Sequence, residues 1–159
     1  MDLRIGHGYD AHRLTSDRAL ILGGVKIPFE RGLLGHSDAD VLTHAVMDAI
    51  IGALAMGDIG TLFPDTDPAY KDACSIKLLA QVCEIMKEKG WKIGNLDATV
   101  IAQVPKLKPY IKQMRKILAQ TCGCAIEDVN LKATTEEHMG FTGSGEGIRA
   151  HAVCLITRV

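Results

Sequence analysis

The distribution of apolar and polar positions marks out a short series of elements. Leu3 to Asp10 predicts a strand running into a glycine-broken end. Ala19 to Leu22 and Val25 to Pro28, on either side of Gly23-Gly24, predict a hairpin-like pair. Ser37 or Asp38 can cap a helix running to about Met56, whose apolar face is Val41, Leu42, Ala45, Val46, Ala49, Ile50, Ala53 and Leu54. On that helix Asp40, His44 and Asp48 lie one turn apart and predict a polar stripe. A loop follows from Asp58 to Asp67, then a helix from about Asp72 to Lys89 with Gly90 as its stop. Leu96 to Ala102 predicts a strand, Tyr110 to Thr121 a third helix, and Val129 to Thr135 and His151 to Thr157 the closing strands. The mixed order implies an α+β fold with a mixed β-sheet and helices on one face. The other face then needs cover, and oligomerisation would supply it.

Composition narrows this picture. A chain of 159 residues argues for one domain, 1–159, able to bury roughly 70% of its unfolded surface. With 47% hydrophobic and only 4% aromatic residues, the core must be aliphatic. A formal charge of −1 leaves no basic surplus for nucleic acid or an anionic membrane surface. No apolar run approaches the ~20 residues that a bilayer requires. The five cysteines are an odd number, and Cys122-Gly123-Cys124 is too tight for a Cys-x-x-Cys motif. With no secretory or transit segment before Leu3, free thiols in a reducing cytoplasm are expected.

Chemistry concentrates in four places. Asp10 and His12, two apart, fall on one face of an extended strand, and His44 can reach them from its helix. One carboxylate and two imidazoles leave a position open, the composition of a catalytic zinc site. On spacing alone His7 and His36 compete for such a role, and Asp40 or Asp48 could orient an imidazole from behind. Lys132-Ala133-Thr134-Thr135-Glu136-Glu137, followed by the glycine-rich run from Gly140 to Gly147, offers hydroxyls and amides for phosphate and a carboxylate for Mg²⁺ or Mn²⁺. Asp58-Ile59-Gly60 and Phe63-Pro64-Asp65-Thr66-Asp67 suit sugar-alcohol hydroxyls better than phosphate. The proline-stiffened run Ala102-Gln103-Val104-Pro105-Lys106-Leu107-Lys108 can present backbone groups to a base edge and Lys106 to a phosphate.

In this order, Gly6 to His12, His36-Ser37-Asp38-Ala39-Asp40 with His44, Gly57 to Gly60, Phe63 to Asp67, Lys132 to Thr135 and Gly140 to Gly143 resemble the 2-C-methyl-D-erythritol 2,4-cyclodiphosphate synthase family almost end to end. The resemblance implies a homotrimer with active sites between subunits, converting a cytidine diphosphate substrate to a cyclic diphosphate with release of CMP. It assigns one Zn²⁺ per subunit to Asp10, His12 and His44, and a substrate-associated Mg²⁺ or Mn²⁺ to Glu137. His36 and Thr135 match positions credited with positioning or transition-state stabilisation. Ser37, Asp58, Ile59, Gly60 and Phe63 to Asp67 match the erythritol-phosphate pocket, and Ala11 matches a further substrate contact. Ala102 to Lys108 match the cytidine pocket of the neighbouring subunit, and Thr134, Glu136, Phe141 and Ser144 complete the substrate contacts. Family members often carry a basic residue at Ser144, associated with a prenyl diphosphate in a cavity on the trimer axis. A serine cannot supply that charge, so weak or absent binding there is expected. A zinc phosphoesterase releasing linear products and a non-catalytic metal-stabilised trimer share the Asp/His/His site and are the rival readings.

Overall fold

The computed structural model describes residues 2–159, so only Met1 of the expected 1–159 domain lies outside it. Its elements in order are β1 (Leu3–Thr15), β2 (Leu20–Leu22), β3 (Val25–Ile27), β4 (Gly32–Leu33), α1 (Val41–Ala53), α2 (Ile59–Leu62) and α3 (Ser75–Glu88). β5 (Trp91–Ile101), α4 (Ile111–Cys122), β6 (Val129–Thr134), α5 (Gly140–Gly143) and β7 (Gly147–Arg158) follow.

Partner strands, rather than local propensity, set the strand lengths. β1 pairs antiparallel with β7 from Leu3↔Thr157 to Arg13↔Gly147, which carries it past Asp10, where its glycines were expected to end it. β7 pairs on its other side with β5, from Trp91↔Arg158 to Ile101↔Arg149, so β5 starts at Trp91 rather than Leu96 and β7 at Gly147 rather than His151. β6 joins β5 in parallel. The result is a five-stranded mixed sheet of order β4-β1-β7-β5-β6, beside the small β2-β3 hairpin.

The registers place Gly6, Gly8, Asp10 and His12 on the same sheet face as Ala150, Ala152, Cys154, Leu96, Ala98 and Leu131. The apolar side chains named on this face are buried beneath the helices, while Asp10 and His12 at its edge stay partly exposed. The opposite face leaves Ile5 71% exposed, together with Leu3, Tyr9 and Val153. The fold is thus α+β, with one sheet face covered and one open.

α1 departs from the expected amphipathic helix. It begins at Val41 with Asp40 as its cap, not at Ser37 or Asp38, and it ends at Ala53, before Ala55 turns left-handed at φ 57°. Nearly every residue of it is buried, as expected for a helix apolar on all sides. Fully buried Leu42, Met47, Ile50 and Ile51 each contribute about 1.5–3 kcal/mol relative to exposure. The remaining differences are small: α3 starts at Ser75, and helical turns occupy Ile59–Leu62 and Gly140–Gly143 where loops were expected.

Candidate metal centre and active site

The site begins with two missing side chains. A Cβ on Gly8 would come within 1.8 Å of the Ala45 carbonyl oxygen, and one on Gly6 within 1.7 Å of that of Ala49. Their absence lets α1 lie directly against β1, which brings His44 to the residues that β1 presents. Asp10 Oδ2 stands 2.8 Å from His12 Nε2 and 2.9 Å from His44 Nδ1. The two ring nitrogens are 3.3 Å apart. All three ligand atoms lie within 4.8 Å of one another.

Each imidazole is also held from behind. His12 Nδ1 lies 2.9 Å from the Leu34 carbonyl, so it carries the hydrogen and leaves Nε2 facing the cluster. His44 Nε2 lies 2.8 Å from Ser75 Oγ and 3.1 Å from Ser37 Oγ. Asp40 and Asp48, expected behind an imidazole, have none as partner among the described residues. Asp40 instead takes the amides of Gly23, Gly24 and Thr43 and the Thr43 hydroxyl, while Asp48 takes the Ile59 amide. The competitor His7 lies on the open sheet face, 3.2 Å from His151.

Charge and burial oppose one another here. Burial by itself would raise the Asp10 carboxyl, but hydrogen bonds from His12 and His44 bring it down to about 2. Burial would lower His12, whereas its hydrogen bond to Asp10 and that residue's charge hold it above the ordinary 6.5. An anionic oxygen and two imidazole nitrogens, each ring oriented by a second partner, suit a divalent cation with an open coordination position.

The cluster opens into a cavity of about 410 Å³, also lined by His36, Ser37, Ile59, Gly60, Phe63 and Asp65. Tyr70 and Leu78 line it as well and were not anticipated from sequence. His36 Nε2 contacts the Asp67 carbonyl oxygen at 3.2 Å. The Asp58 and Asp67 carboxylates cap short helical turns by accepting from Thr61 and Ala69. Those two residues, with Pro64 and Thr66, shape the loop rather than the cavity wall.

A second cavity of about 190 Å³ shares no residue with the first. The parallel pairing Ile101↔Thr134 brings Ala102, Gln103, Pro105, Lys106, Leu107 and Lys108 together with Ala133, Thr134 and Thr135 around it, while Val104 points to solvent. Glu137 follows at φ 51°, its amide 3.3 Å from Thr135 Oγ1. Glu136 accepts from Thr142 and Arg149. Ala11 and Phe141 border a third, smaller hollow, and Ser144 donates to Glu146. The Asp10/His12/His44 cluster and Thr135 thus line different hollows of one chain.

Ser75 and Asp38, which support His44, are the residues that sequence reading missed in this role. Ser75 falls unremarked inside the helix expected from about Asp72, and Asp38 reads only as a candidate cap.

The fold and site describe an α+β protein with a ligand cluster fit for a divalent cation and separate polar hollows. Residues 3–157 match the model of the YgbB family, and the chain belongs to that family. It is 63% identical over 154 residues to the 2-C-methyl-D-erythritol 2,4-cyclodiphosphate synthase of Trichlorobacter lovleyi, spanning 97% of this chain and 98% of that one. The enzyme of the same name from Clostridium perfringens is 58% identical over 156 residues, 98% of this chain and 100% of that one. Among solved structures, the bifunctional IspDF of Campylobacter jejuni superposes with a TM-score of 0.95 at 40% identity; the match covers 99% of this chain and 43% of that longer one. The Plasmodium falciparum IspF complex with CDP gives a TM-score of 0.87 at 35% identity, covering 99% and 97%.

Proposed function

We propose that this chain is a 2-C-methyl-D-erythritol 2,4-cyclodiphosphate synthase, a lyase of the non-mevalonate isoprenoid pathway, with residues 1–159 forming one catalytic domain. It converts 4-diphosphocytidyl-2-C-methyl-D-erythritol 2-phosphate to the 2,4-cyclodiphosphate and releases CMP. The observation that carries this reading is the Asp10/His12/His44 cluster opening on the 410 Å³ cavity, in a chain 58–63% identical to synthases of that name.

The reaction joins two phosphates of one molecule, so its nucleophile is already anionic and needs no strong base. The demand is for two mutually repelling groups held in line, which positioning and charge neutralisation can meet. In this reading Asp10, His12 and His44 hold Zn²⁺, and Glu137 holds Mg²⁺ or Mn²⁺. Bound there, the ions neutralise phosphate charge and polarise the phosphorus–oxygen bonds.

The chain's own residues do the rest. Ser37, Ile59, Gly60 and the Phe63–Asp67 loop hold the erythritol phosphate, with Asp58 capping the turn that presents Ile59. His36, steadied by the Asp67 carbonyl, and Thr135 orient the reacting phosphates. Ala102 to Lys108, around the second hollow, receive the cytidine, and a Plasmodium relative forms a complex with CDP. Because that hollow and the metal cavity are separate in one chain, a substrate filling both is held between two chains. A homotrimer formed through the open apolar sheet face supplies that arrangement. No helix among the described residues is long and apolar enough to cross a membrane, and the five free cysteines suit a reducing cytoplasm.

Ser144 offers no charge, and Arg149 is bound to Glu136, so a prenyl diphosphate on the trimer axis finds no free cation on either residue. Calorimetry is expected to show no micromolar binding. A micromolar affinity that survives Arg149→Ala would count against this view.

³¹P NMR of the protein with the cytidyl substrate, Zn²⁺ and Mg²⁺ tests the activity. A cyclic diphosphate with equimolar CMP is expected; linear phosphates would indicate a phosphoesterase, and unchanged substrate with metals bound would indicate a non-catalytic role.

A further inference from the structure

We infer that Ser75, backed by Asp38, is a positioning residue that holds His44 in the tautomer a metal ion requires. The inference rests on reading Asp10, His12 and His44 as metal ligands.

Hydrogen bookkeeping leads to it. Ser75 is fully buried as the first residue of α3. Its Oγ is 2.5 Å from Asp38 Oδ1 and 2.8 Å from His44 Nε2. A hydroxyl carries one hydrogen, and an ionised carboxylate can only accept. The hydrogen therefore goes to Asp38, and Ser75 must accept from His44, whose Nε2 becomes an N–H directed at Ser75 and flanked at 3.1 Å by Ser37 Oγ.

Nδ1 of His44 is then left with its lone pair, aimed at Asp10 Oδ2 2.9 Å away. His12 is committed in the same sense, with Nδ1 donating to Leu34 and Nε2 facing inward. With a cation in place of the hydrogens that join the two imidazoles to Asp10, three lone-pair atoms would converge on it. The chain Asp38–Ser75–His44 also strengthens His44 as a ligand, because charge on Asp38 polarises the hydroxyl that receives the imidazole hydrogen.

The same carboxylate fastens the surrounding backbone. Asp38 Oδ2 accepts the Ser75 amide at 2.9 Å, a bond that Ser75→Ala leaves in place. The substitution therefore removes the hydroxyl while keeping the loop anchored to α3. Asp38→Asn acts differently. Its oxygen can still accept the Ser75 amide, but its NH₂ group donates to the hydroxyl and gives up the Asp40 amide that Oδ1 accepts at 3.1 Å. The serine hydrogen then turns toward His44 and favours the tautomer with Nε2 unprotonated, the wrong one for the site.

The test uses metal-free protein titrated with ZnCl₂ against a chromophoric chelator, and the visible spectrum of the Co²⁺-loaded chain. Ser75→Ala and Asp38→Asn are expected to bind Zn²⁺ about 10–100-fold more weakly, the usual cost of losing a ligand's outer partner. Their Co²⁺ bands should also shift, while Ser75→Thr, which keeps the hydroxyl, stays near the parent. Should Ser75→Ala fail to fold, Asp38→Asn carries the test alone. Parent-like affinity and spectrum in the folded variants overturn the inference. Absence of Zn²⁺ binding by the parent chain overturns instead the metal reading beneath it.

Discussion

At Asp10 and His12 the metal-free chain already contains a competitor for the metal: a proton. Asp10 stays ionised down to about 2, so it offers protons no foothold near neutrality. His12 is different, since its hydrogen bond and ion pairing with Asp10 outweigh burial and lift it above 6.5. A metal ligand must be deprotonated, so the sign follows directly. Zinc affinity should be level above the His12 pKa and fall by about tenfold per pH unit below it. Chelator competition at a series of pH values measures this; an affinity indifferent to pH across that range would remove His12 from the ligand set. His44→Ala should lose stoichiometric zinc, read by metal analysis of the purified chain. The thiols give a separate residue-level check. Cys74 is exposed, Cys83, Cys122 and Cys154 are buried, and burial raises Cys124 and Cys154 to about 11. About one thiol per native chain should react rapidly with a colorimetric disulfide reagent, and the others on unfolding.

Between elements, the contact of α1 with β1 sets the geometry of the Asp10/His12/His44 cluster. Any side chain at Gly8 meets the Ala45 carbonyl of α1, and that backbone can yield only if the helix moves. Gly8→Ala is therefore expected to exceed the usual 1–3 kcal/mol of overpacking, reaching about 3 kcal/mol or more, and to weaken zinc binding in parallel. Urea unfolding and metal titration measure the two effects; a stable variant with parent-like zinc affinity would show that the close approach is dispensable. Asp40 joins α1 to the β2-β3 hairpin, so Asp40→Ala strands the buried Gly23 amide as well as removing a cap. A loss on the order of 3 kcal/mol is expected in the same assay. These two positions also show where sequence reading stops. The hairpin, the three main helices, the mixed sheet and the residues of the metal trio were legible because periodicity, turn residues and two-residue spacing are local signals. The reach of β1 and β5 was not, because β7 sets it from distant positions in the chain. Asp40 read as a polar helix residue because nothing nearby in sequence announces the glycine amides it serves. Ser75 and Asp38 escaped for the same reason: their partner His44 is brought to them only by the fold.

For the whole molecule, the decisive fact is that one chain carries two hollows with no wall in common. On the proposed assignment, a substrate with erythritol phosphate at one end and cytidine at the other would fill both, which one chain does not offer as a single cavity. The open sheet face, with Ile5, Tyr9 and Val153 exposed, provides apolar surface for copies to meet. If each copy lends its cytidine loop to the next in a closed ring, defects in the two hollows should complement one another. His44→Ala damages only the cavity proposed for the metal, and Lys106→Glu only the loop proposed for cytidine. Each variant alone is expected to be inactive. Unfolded together in equal amounts and refolded, they assemble at random, and a working site needs the metal trio of one variant beside the loop of the other. That pairing arises in about one quarter of sites, so about a quarter of parental activity should return. Because intact trio and intact loop never share a chain in the mixture, activity confined to single chains would return none. Mixing after folding, with trimers already closed, should also give none until subunits exchange, so the time course of recovery separates assembly from catalysis.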